Sequence, residues 1–370
     1  MTTAFILFFG AGGDTAVERR LDAFRIAIGS GTLRRAGEAG FDPLIAVTAD
    51  PTATDAFVAA GAEVLVPRTA PFHFGRELDG IATARGLDRL CAIGAGAGAL
   101  LRTADLAALR EELESSEALV LSNNYYSADL IGLVPASALG AIALPATDNP
   151  LPRLLHQQAG LPSRQLARSA ATLLDVDTPA DATVLLRHPQ CPPELQAVGG
   201  WDAELGDRID QLMRIITTPE RELVVAGRVG APVWSYLETQ TACRVRMLAE
   251  ERGMQAAGRD VSGEARSALG FLYAAVGPEA FFAQLAELGD GLLLDSRVLF
   301  AHLGWLPGPA ERFASDLFAI ADIQHPEVRA FTAAAAAAGI PVLLGGQTLV
   351  SGVLWTMVDA AWSGFPEPAR

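Results

Sequence analysis

Short apolar runs alternate with stretches of helical pattern along the first half of the chain. Because strands and helices that alternate at this spacing are typical of a parallel sheet covered by helices, the pattern predicts an α/β fold. We expect a mostly parallel, Rossmann-like sheet with helices on both faces. Strands are predicted at residues 5–9, 44–48, 63–66, 90–93, 118–121, 131–134, 141–144 and 171–174.

The second half shows the same alternation, with strands predicted at residues 222–226, 244–248, 292–294 and 340–344 and a first helix at 202–216. A proline-rich stretch followed by Gly199-Gly200 separates the halves, and 370 residues exceed what one core usually supports. We therefore predict two domains, residues 1–198 and residues 199–370. The second is expected to be an α/β, helix-rich domain of unknown role.

Three predicted strands of the second half end in polar or glycine-bearing sequences, namely Gly227–Gly230, Asp295–Arg297 and Gly345–Thr348. Such strand ends can converge on one pocket. Turns and helix caps of any α/β domain need the same residue types, and we favour that explanation. The alternative that the chemistry of the protein lies in this half stays open.

Two carboxylates stand between the predicted strand at 171–174 and the next helix, at Asp175 and Asp177. Thr178 is expected to cap that helix, with Pro179 at its first position and Asp181 returning a hydrogen bond to the Thr178 backbone N–H. Ligands of open α/β sheets bind at the carboxyl ends of strands, so the two acids can serve a ligand. Alternatively, they merely favour the positive end of the helix.

The sequence Asp-Val-Asp-Thr-Pro-x-Asp, at residues 175–181, resembles a motif of nucleotidyltransferases of the molybdopterin and 2-phospho-lactate guanylyltransferase type. The resemblance covers residues 3–190 and implies a glycosyltransferase-A-like fold. It implies transfer of a nucleotidyl group from a nucleoside triphosphate, with GTP favoured, to a small phosphorylated or acidic acceptor. It also implies that Asp175 and Asp177 help to hold Mg²⁺ on the nucleotide phosphates.

A glycine-rich turn after the first strand can bring backbone N–H groups to a phosphate. The resemblance makes Gly10, Gly12 and Gly13 candidates for nucleotide binding, although they can equally form a simple tight turn. The family has a lysine in this region, whereas the chain contains no lysine and all 28 basic residues are arginine. Arg19 or Arg20 would take the catalytic part of that lysine only by analogy.

The fourth predicted strand ends in Gly94-Ala95-Gly96-Ala97, where the family reads Gly-Asp-x-Pro and uses the aspartate as its principal metal ligand. No side chain with an oxygen stands here, and a hard cation needs oxygen ligands. The departure predicts weak Mg²⁺ binding, or a nucleotide- or metabolite-binding regulatory protein that has lost catalysis. Gly94 and Gly96 still allow a nucleotide to approach the backbone closely.

Polar residues at another strand end and in a later helix are candidates for substrate binding, namely Asn123, Asn124, Tyr125 and His156. Their side chains suit contacts with hydroxyl or carboxylate groups. The alternatives are an Asx-type turn, which an Asn-Asn pair favours, and a solvated helix face for His156.

The net charge of −15 argues against a nucleic-acid partner, and no apolar run is long enough to span a membrane. Three widely spaced cysteines indicate free thiols in a reducing cytoplasm and no zinc site. We therefore expect a cytoplasmic protein whose partners are a nucleoside triphosphate and a small-molecule acceptor. A homo-oligomer is possible as well.

Overall fold

The computed structural model describes residues 2–201 and 203–364, and the chain divides into two compact units. Unit 1 contains the chain up to Ala11, Asp22–Asp175 and Pro192–Val198, whereas unit 2 contains Gly12–Leu21, Val176–Cys191 and the chain from Gly199 onward. Unit 2 thus includes two stretches from the first half of the chain. The division into two consecutive domains, 1–198 and 199–370, stays a prediction.

Unit 1 is built on a seven-stranded sheet with the order β3-β2-β1-β4-β6-β5-β7. Strand β6 is antiparallel to both of its neighbours, and all other pairs are parallel. This arrangement confirms the predicted mostly parallel, Rossmann-like sheet. The strands are β1 (Ala4–Phe8), β2 (Leu44–Val47), β3 (Glu63–Leu65), β4 (Leu90–Gly94), β5 (Leu119–Ser122), β6 (Leu130–Val134) and β7 (Ser163–Gln165).

Helices cover both faces of this sheet, because alternate residues of each strand point to opposite sides. Phe5 and Leu7 of β1 pack against helices on one face of the sheet, whereas Ala4 and Ile6 pack against helices on the other face. The helices that include residues of unit 1 are α1 (Ala16–Glu38), α2 (Pro51–Ala59), α3 (Phe74–Arg85), α4 (Thr103–Ser115), α5 (Leu151–Ala159), α6 (Ala170–Leu173) and α8 (Pro193–Val198).

Two strands expected in unit 1 are absent from the described structure. The prediction of a strand at residues 171–174 is wrong, because the chain forms a short helix there. Ser169 caps this helix by accepting a hydrogen bond from the Thr172 N–H. Residues 141–144 follow a 3₁₀ helix, Ala136–Ala141, and pair with no strand among the described residues. Short apolar runs fit helix and strand alike, so periodicity could not separate them.

Unit 2 is built on a four-stranded, entirely parallel sheet with the order β11-β10-β8-β9. The strands are β8 (Glu222–Gly227), β9 (Arg244–Ala249), β10 (Gly291–Asp295) and β11 (Val342–Gly345). A cluster of buried aromatic rings, including Phe281, Phe282 and Phe331, packs against this sheet. The second sheet confirms the α/β prediction for the second half.

The helices of unit 2 are α7 (Pro179–Leu185), α9 (Ala203–Ile216), α10 (Ala231–Gln240), α11 (Ala268–Val276), α12 (Pro278–Ala286), α13 (Ser296–His302), α14 (Pro309–Asp316), α15 (Pro326–Ala336) and α16 (Gly352–Trp362). The predicted first residue of α9, Asp202, lies outside the described residues. The sequence pattern did not predict α14 or α8, both of which begin at a proline. Within the described parts of the chain, every helix is too short or too polar to cross a membrane.

Candidate functional site

A cavity of about 590 Å³ lies in unit 1 at the carboxyl ends of β1, β2 and β4. Its lining includes Phe9 after β1, Ala49 after β2 and Gly94 at the end of β4. Carboxyl ends of parallel strands are the usual place for ligands in open α/β sheets. A cavity of this volume has room for a small organic molecule.

Aromatic rings form one wall of the cavity. The ring of Phe8 lies 4.8 Å from that of Phe74 and 6.2 Å from that of Phe72, measured between centroids. The Phe72 side chain is about half exposed, so its ring is accessible to a ligand. A cluster of this kind offers apolar surface and ring edges against which a planar heterocycle can pack.

Among the described residues, the charged side chains that line the cavity are those of Asp50, Asp129 and Asp148, and none belongs to an arginine or a histidine. Each carboxyl group accepts a hydrogen bond from a neighbouring group: Ala53 N–H to Asp50 (2.8 Å), Asn123 Nδ2 to Asp129 (3.1 Å) and Asn149 N–H to Asp148 (2.9 Å). Carboxylates accept several hydrogen bonds each. The cavity therefore suits a neutral or cationic ligand part that donates hydrogen bonds, rather than a polyphosphate.

Of the glycines predicted to bind nucleotide, Gly10 and Gly94 line this cavity. A Cβ built on either residue would meet no atom within 4 Å, so the space beside each backbone is open. The Gly94 N–H donates to the carbonyl of Asp129 over 3.1 Å. Gly96 is buried in the turn after β4 and does not line the cavity.

The other predicted glycines, Gly12 and Gly13, belong to unit 2. The buried carboxylate of Glu18 lies against Gly13, only 2.5 Å from where a Cβ on that glycine would stand. Glu18 accepts hydrogen bonds from the backbone N–H of Thr15 (3.1 Å) and from its hydroxyl (2.5 Å). A phosphate placed over Gly13 would therefore meet a carboxylate.

The predicted catalytic arginines, Arg19 and Arg20, are exposed and also belong to unit 2. Nη1 of Arg19 donates to the carbonyl of Asp14. Nη2 of Arg20 donates to the carbonyl of Gly200 over 2.5 Å, and its guanidinium lies 5.2 Å from the ring centroid of Trp201. Both side chains thus make contacts within unit 2, and their catalytic role stays a prediction.

The predicted substrate residues lie near the end of β5 but do not line the cavity. Oδ1 of buried Asn123 accepts from the N–H groups of Asp129 (3.0 Å) and Leu130 (3.2 Å), which closes the connection between β5 and β6. Oδ1 of Asn124 accepts from the N–H of Tyr126 over 3.1 Å. This is the Asx-type turn that an Asn-Asn pair favours.

Tyr125 and His156 are the members of this predicted set that the structure brings together. Their ring centroids are 6.0 Å apart, in an edge-on arrangement. Nδ1 of His156 lies 2.8 Å from the carbonyl oxygen of Leu161, so this hydrogen bond ties the end of α5 to the following chain. The exposed position of His156 matches the solvated helix face given as the alternative.

The residues predicted to hold Mg²⁺ are Asp175 and Asp177, and their role at a metal stays a prediction. Asp175 is half-buried in unit 1 and forms an isolated bridge with Ala97, whereas Asp177 is exposed in unit 2. Residues Gly94–Ala97 offer only apolar side chains or none. Among residues 2–201 and 203–364, no group of three or more His, Cys, Asp or Glu side chains is placed to hold a metal ion.

The sequence pattern did not identify the acidic residues of the cavity as a site. Asp50 follows β2 and stands where the sequence predicts the start of a helix, and in the structure it caps α2. Asp148 precedes α5, and Asp129 follows a polar turn. Their common signal is their position at an end of a strand or helix, which many structural aspartates share.

No protein-family model and no curated protein matches the chain. Among solved structures, a cytidylyltransferase from Leptospira borgpetersenii is 13% identical with a TM-score of 0.40, over 57% of this chain and 95% of that one. A CMP:2-keto-3-deoxy-manno-octonic acid synthetase complexed with CTP is 15% identical with a TM-score of 0.36, over 49% and 95%. A nucleotidyl transferase from Methanothermobacter is 16% identical with a TM-score of 0.37, over 47% and 91%.

Proposed function

We propose that unit 1 is a nucleotide-binding module of nucleotidyltransferase-like type, whose cavity takes the base and sugar of a nucleotide. The observation that carries this proposal is the cavity at the carboxyl ends of β1, β2 and β4, with an aromatic wall and acidic hydrogen-bond acceptors. The open backbone at Gly10 and Gly94 supports close approach of a ligand.

The chemistry of the lining supports a nucleoside rather than a bare phosphate. A base can pack against Phe8 and Phe72, and ribose hydroxyls can donate to the carboxylates of Asp50, Asp129 and Asp148. Phosphate groups are repelled by the same carboxylates, so they would lie outside this part of the cavity. The affinity is therefore expected to reside mainly in the base and sugar.

The acidic lining also supports a preference for GTP over ATP and CTP. Guanine presents an N1–H and an exocyclic amino group on one edge, and a carboxylate can accept hydrogen bonds from both. Adenine and cytosine present an amino group next to a ring acceptor, which a carboxylate does not match. Three acidic side chains line the cavity and can fill this role.

The location of the cavity favours a second candidate, transfer of the nucleotidyl group to a small phosphorylated or acidic acceptor. Carboxyl strand ends are where α/β enzymes assemble their sites, and the backbone there is open at Gly10. The residues of Gly94–Ala97 supply no side-chain ligand for a catalytic cation, so we favour binding over transfer. Release of pyrophosphate from GTP in the presence of candidate acceptors would establish transfer.

The experiment that tests binding is calorimetric titration of the full chain with guanosine, GTP, CTP and ATP, with Mg²⁺ and with a chelator. We expect guanosine and GTP to bind with similar affinity and more tightly than CTP or ATP. Absence of binding by every nucleoside and nucleotide would overturn the proposal. Binding of triphosphates without binding of guanosine would show that phosphate contacts, and not this cavity, provide the affinity.

A further inference from the structure

The carboxyl ends of β8, β10 and β11 are neighbours in the sheet of unit 2. Asp295 is paired in register with Gly345 of β11, and Leu294 with Ala226 of β8. A Cβ on Gly227 would collide with the Cβ of Asp295, so the two chains approach too closely for a side chain there. The strand ends of the second half therefore converge at one edge of the sheet.

Two buried ion pairs occupy this edge. Nε and Nη2 of Arg228 donate to the two carboxylate oxygens of Asp295 over 2.6 and 3.0 Å. Nη1 and Nη2 of Arg297 donate to the two oxygens of Asp316, each over 2.6 Å. Bidentate pairs of this kind satisfy the carboxylates and fix the guanidinium planes.

Two polar atoms at this edge are buried and lack a partner. Among the described residues, Nη1 of Arg228 donates no hydrogen bond and Oδ1 of Asp181 accepts none. The other oxygen of Asp181 accepts from the N–H groups of Asp177 and Thr178 and from the hydroxyl of Thr348, which follows β11. Buried polar groups in folded proteins are nearly always hydrogen-bonded, so these two atoms are available to a bound ligand.

A third arginine, Arg312, lies on α14, which packs against β11 and α7, and the charges of Arg297 and Arg228 act on its guanidinium. Burial lowers the pKa of Arg312, and the charge of Arg297 lowers it further. Arg312 forms no ion pair with any residue in the described ranges. The edge therefore gathers cationic donors that the neighbouring carboxylates do not fully occupy.

We propose that this edge of unit 2 is a second ligand site, which binds the oxyanion group of a small metabolite through Nη1 of Arg228 and the guanidinium of Arg312. A phosphate or a carboxylate supplies the acceptors that these donors lack, and the arginine fork matches both groups. The unpaired oxygen of Asp181 offers one more hydrogen-bonding group to the same ligand. The site lies within unit 2, and this inference goes beyond the proposed function.

The test is calorimetric titration of the full chain with inorganic phosphate and with malonate. The first variant is the double substitution Arg228→Gln/Asp295→Asn, which removes both charges and leaves neither partner alone. The second is Arg312→Gln, which breaks no ion pair among the described residues and therefore keeps the test usable if the double variant fails to fold. The matched control is Arg221→Gln/Asp290→Asn, which removes an exposed ion pair at the opposite end of β8 and β10.

We expect wild-type protein and the control to bind at least one of the two anions. Each test variant should weaken that binding about ten- to a hundredfold, because it removes hydrogen bonds from a charged donor. Tighter binding of phosphate would identify a phosphorylated ligand, and tighter binding of malonate a carboxylate. The proposal would be overturned if the wild-type protein bound neither anion. It would also be overturned if Arg312→Gln, and the double variant where it folds, bound the anion as tightly as the wild type.

Discussion

The hydroxyl of Thr348 donates a hydrogen bond of 2.7 Å to Oδ2 of Asp181, although 167 residues separate them in the chain. Asp181 is fully buried, and its Oδ2 also accepts from the backbone N–H groups at the start of α7. Burial raises the pKa of Asp181 to about 7, while the hydrogen bond from Thr348 acts in the opposite direction. The stability of unit 2 should therefore depend on the protonation of one carboxyl group.

The first prediction concerns this pH dependence. In the unfolded chain, Asp181 ionises near its ordinary pKa of 3.8, whereas in the folded chain it stays protonated up to about pH 7. The folded state is therefore most stable below pH 3.8, and this extra stability is lost as the pH rises towards 7. The difference between the two pKa values corresponds to about 4 kcal/mol in the free energy of unfolding. Asp181→Asn cannot ionise and should remove this pH dependence, which urea unfolding at a series of pH values measures.

The control for this prediction is Thr348→Ser, which keeps the hydroxyl donor and should leave the pH profile of stability close to that of the wild type. Asp181→Asn keeps an oxygen acceptor for the same three donors, so its fold should persist. A profile in Asp181→Asn with the same slope between pH 4 and pH 7 as the wild type would contradict the assignment of the raised pKa to this residue.

The second prediction tests whether the cavity of unit 1 is the nucleotide site. Gly94→Leu should place a side chain in the open space beside β4 and weaken guanosine binding by about tenfold or more. Gly140→Leu is the matched control, because Gly140 is exposed, also has open space where a Cβ would stand, and lies outside the cavity. Equal losses in the two variants would show that the cavity does not bind guanosine.

The third prediction separates a structural role of Asn123 from a role in substrate binding. Asn123→Ala removes the acceptor for two backbone N–H groups and the donor to Asp129, all around the β5–β6 connection. The free energy of unfolding should fall by about 2–3 kcal/mol, because buried partners lose their hydrogen bonds. Denaturant titration measures this loss. Asn124→Ala, which removes one hydrogen bond to an exposed residue, should cost much less.

Contacts between residues within one helical turn could be predicted from local sequence patterns alone. Thr178 and Asp181 form the predicted capping box, with hydrogen bonds of 3.3 Å from the Asp181 N–H to the Thr178 hydroxyl and 2.8 Å in the return direction. Pro179 stands at the first helical position as expected. Both partners are close in sequence, so residue identity and spacing alone determine this arrangement.

The cavity and the arginine-rich edge could not be derived in the same way. Asp50, Asp129 and Asp148 are brought together by the order of the strands, in which β6 lies between β4 and β5. The antiparallel direction of β6 places the start of that strand, beside Asp129, next to the carboxyl end of β4. Local patterns specify strands and caps, but they do not specify which strands become neighbours.

The last prediction concerns the metal. The side chains after β4 offer no oxygen ligand, and in the proposed arrangement the cavity binds the nucleoside part of the ligand. Removal of Mg²⁺ should therefore change the affinity for guanosine or GTP by less than about twofold. Calorimetry in the presence of a chelator measures this directly. Asp177→Ala should likewise leave both affinities unchanged, because Asp177 is not among the residues that line the cavity. A loss of GTP binding on chelation, reproduced by Asp177→Ala but not seen with guanosine, would instead support the metal role that the motif resemblance implies.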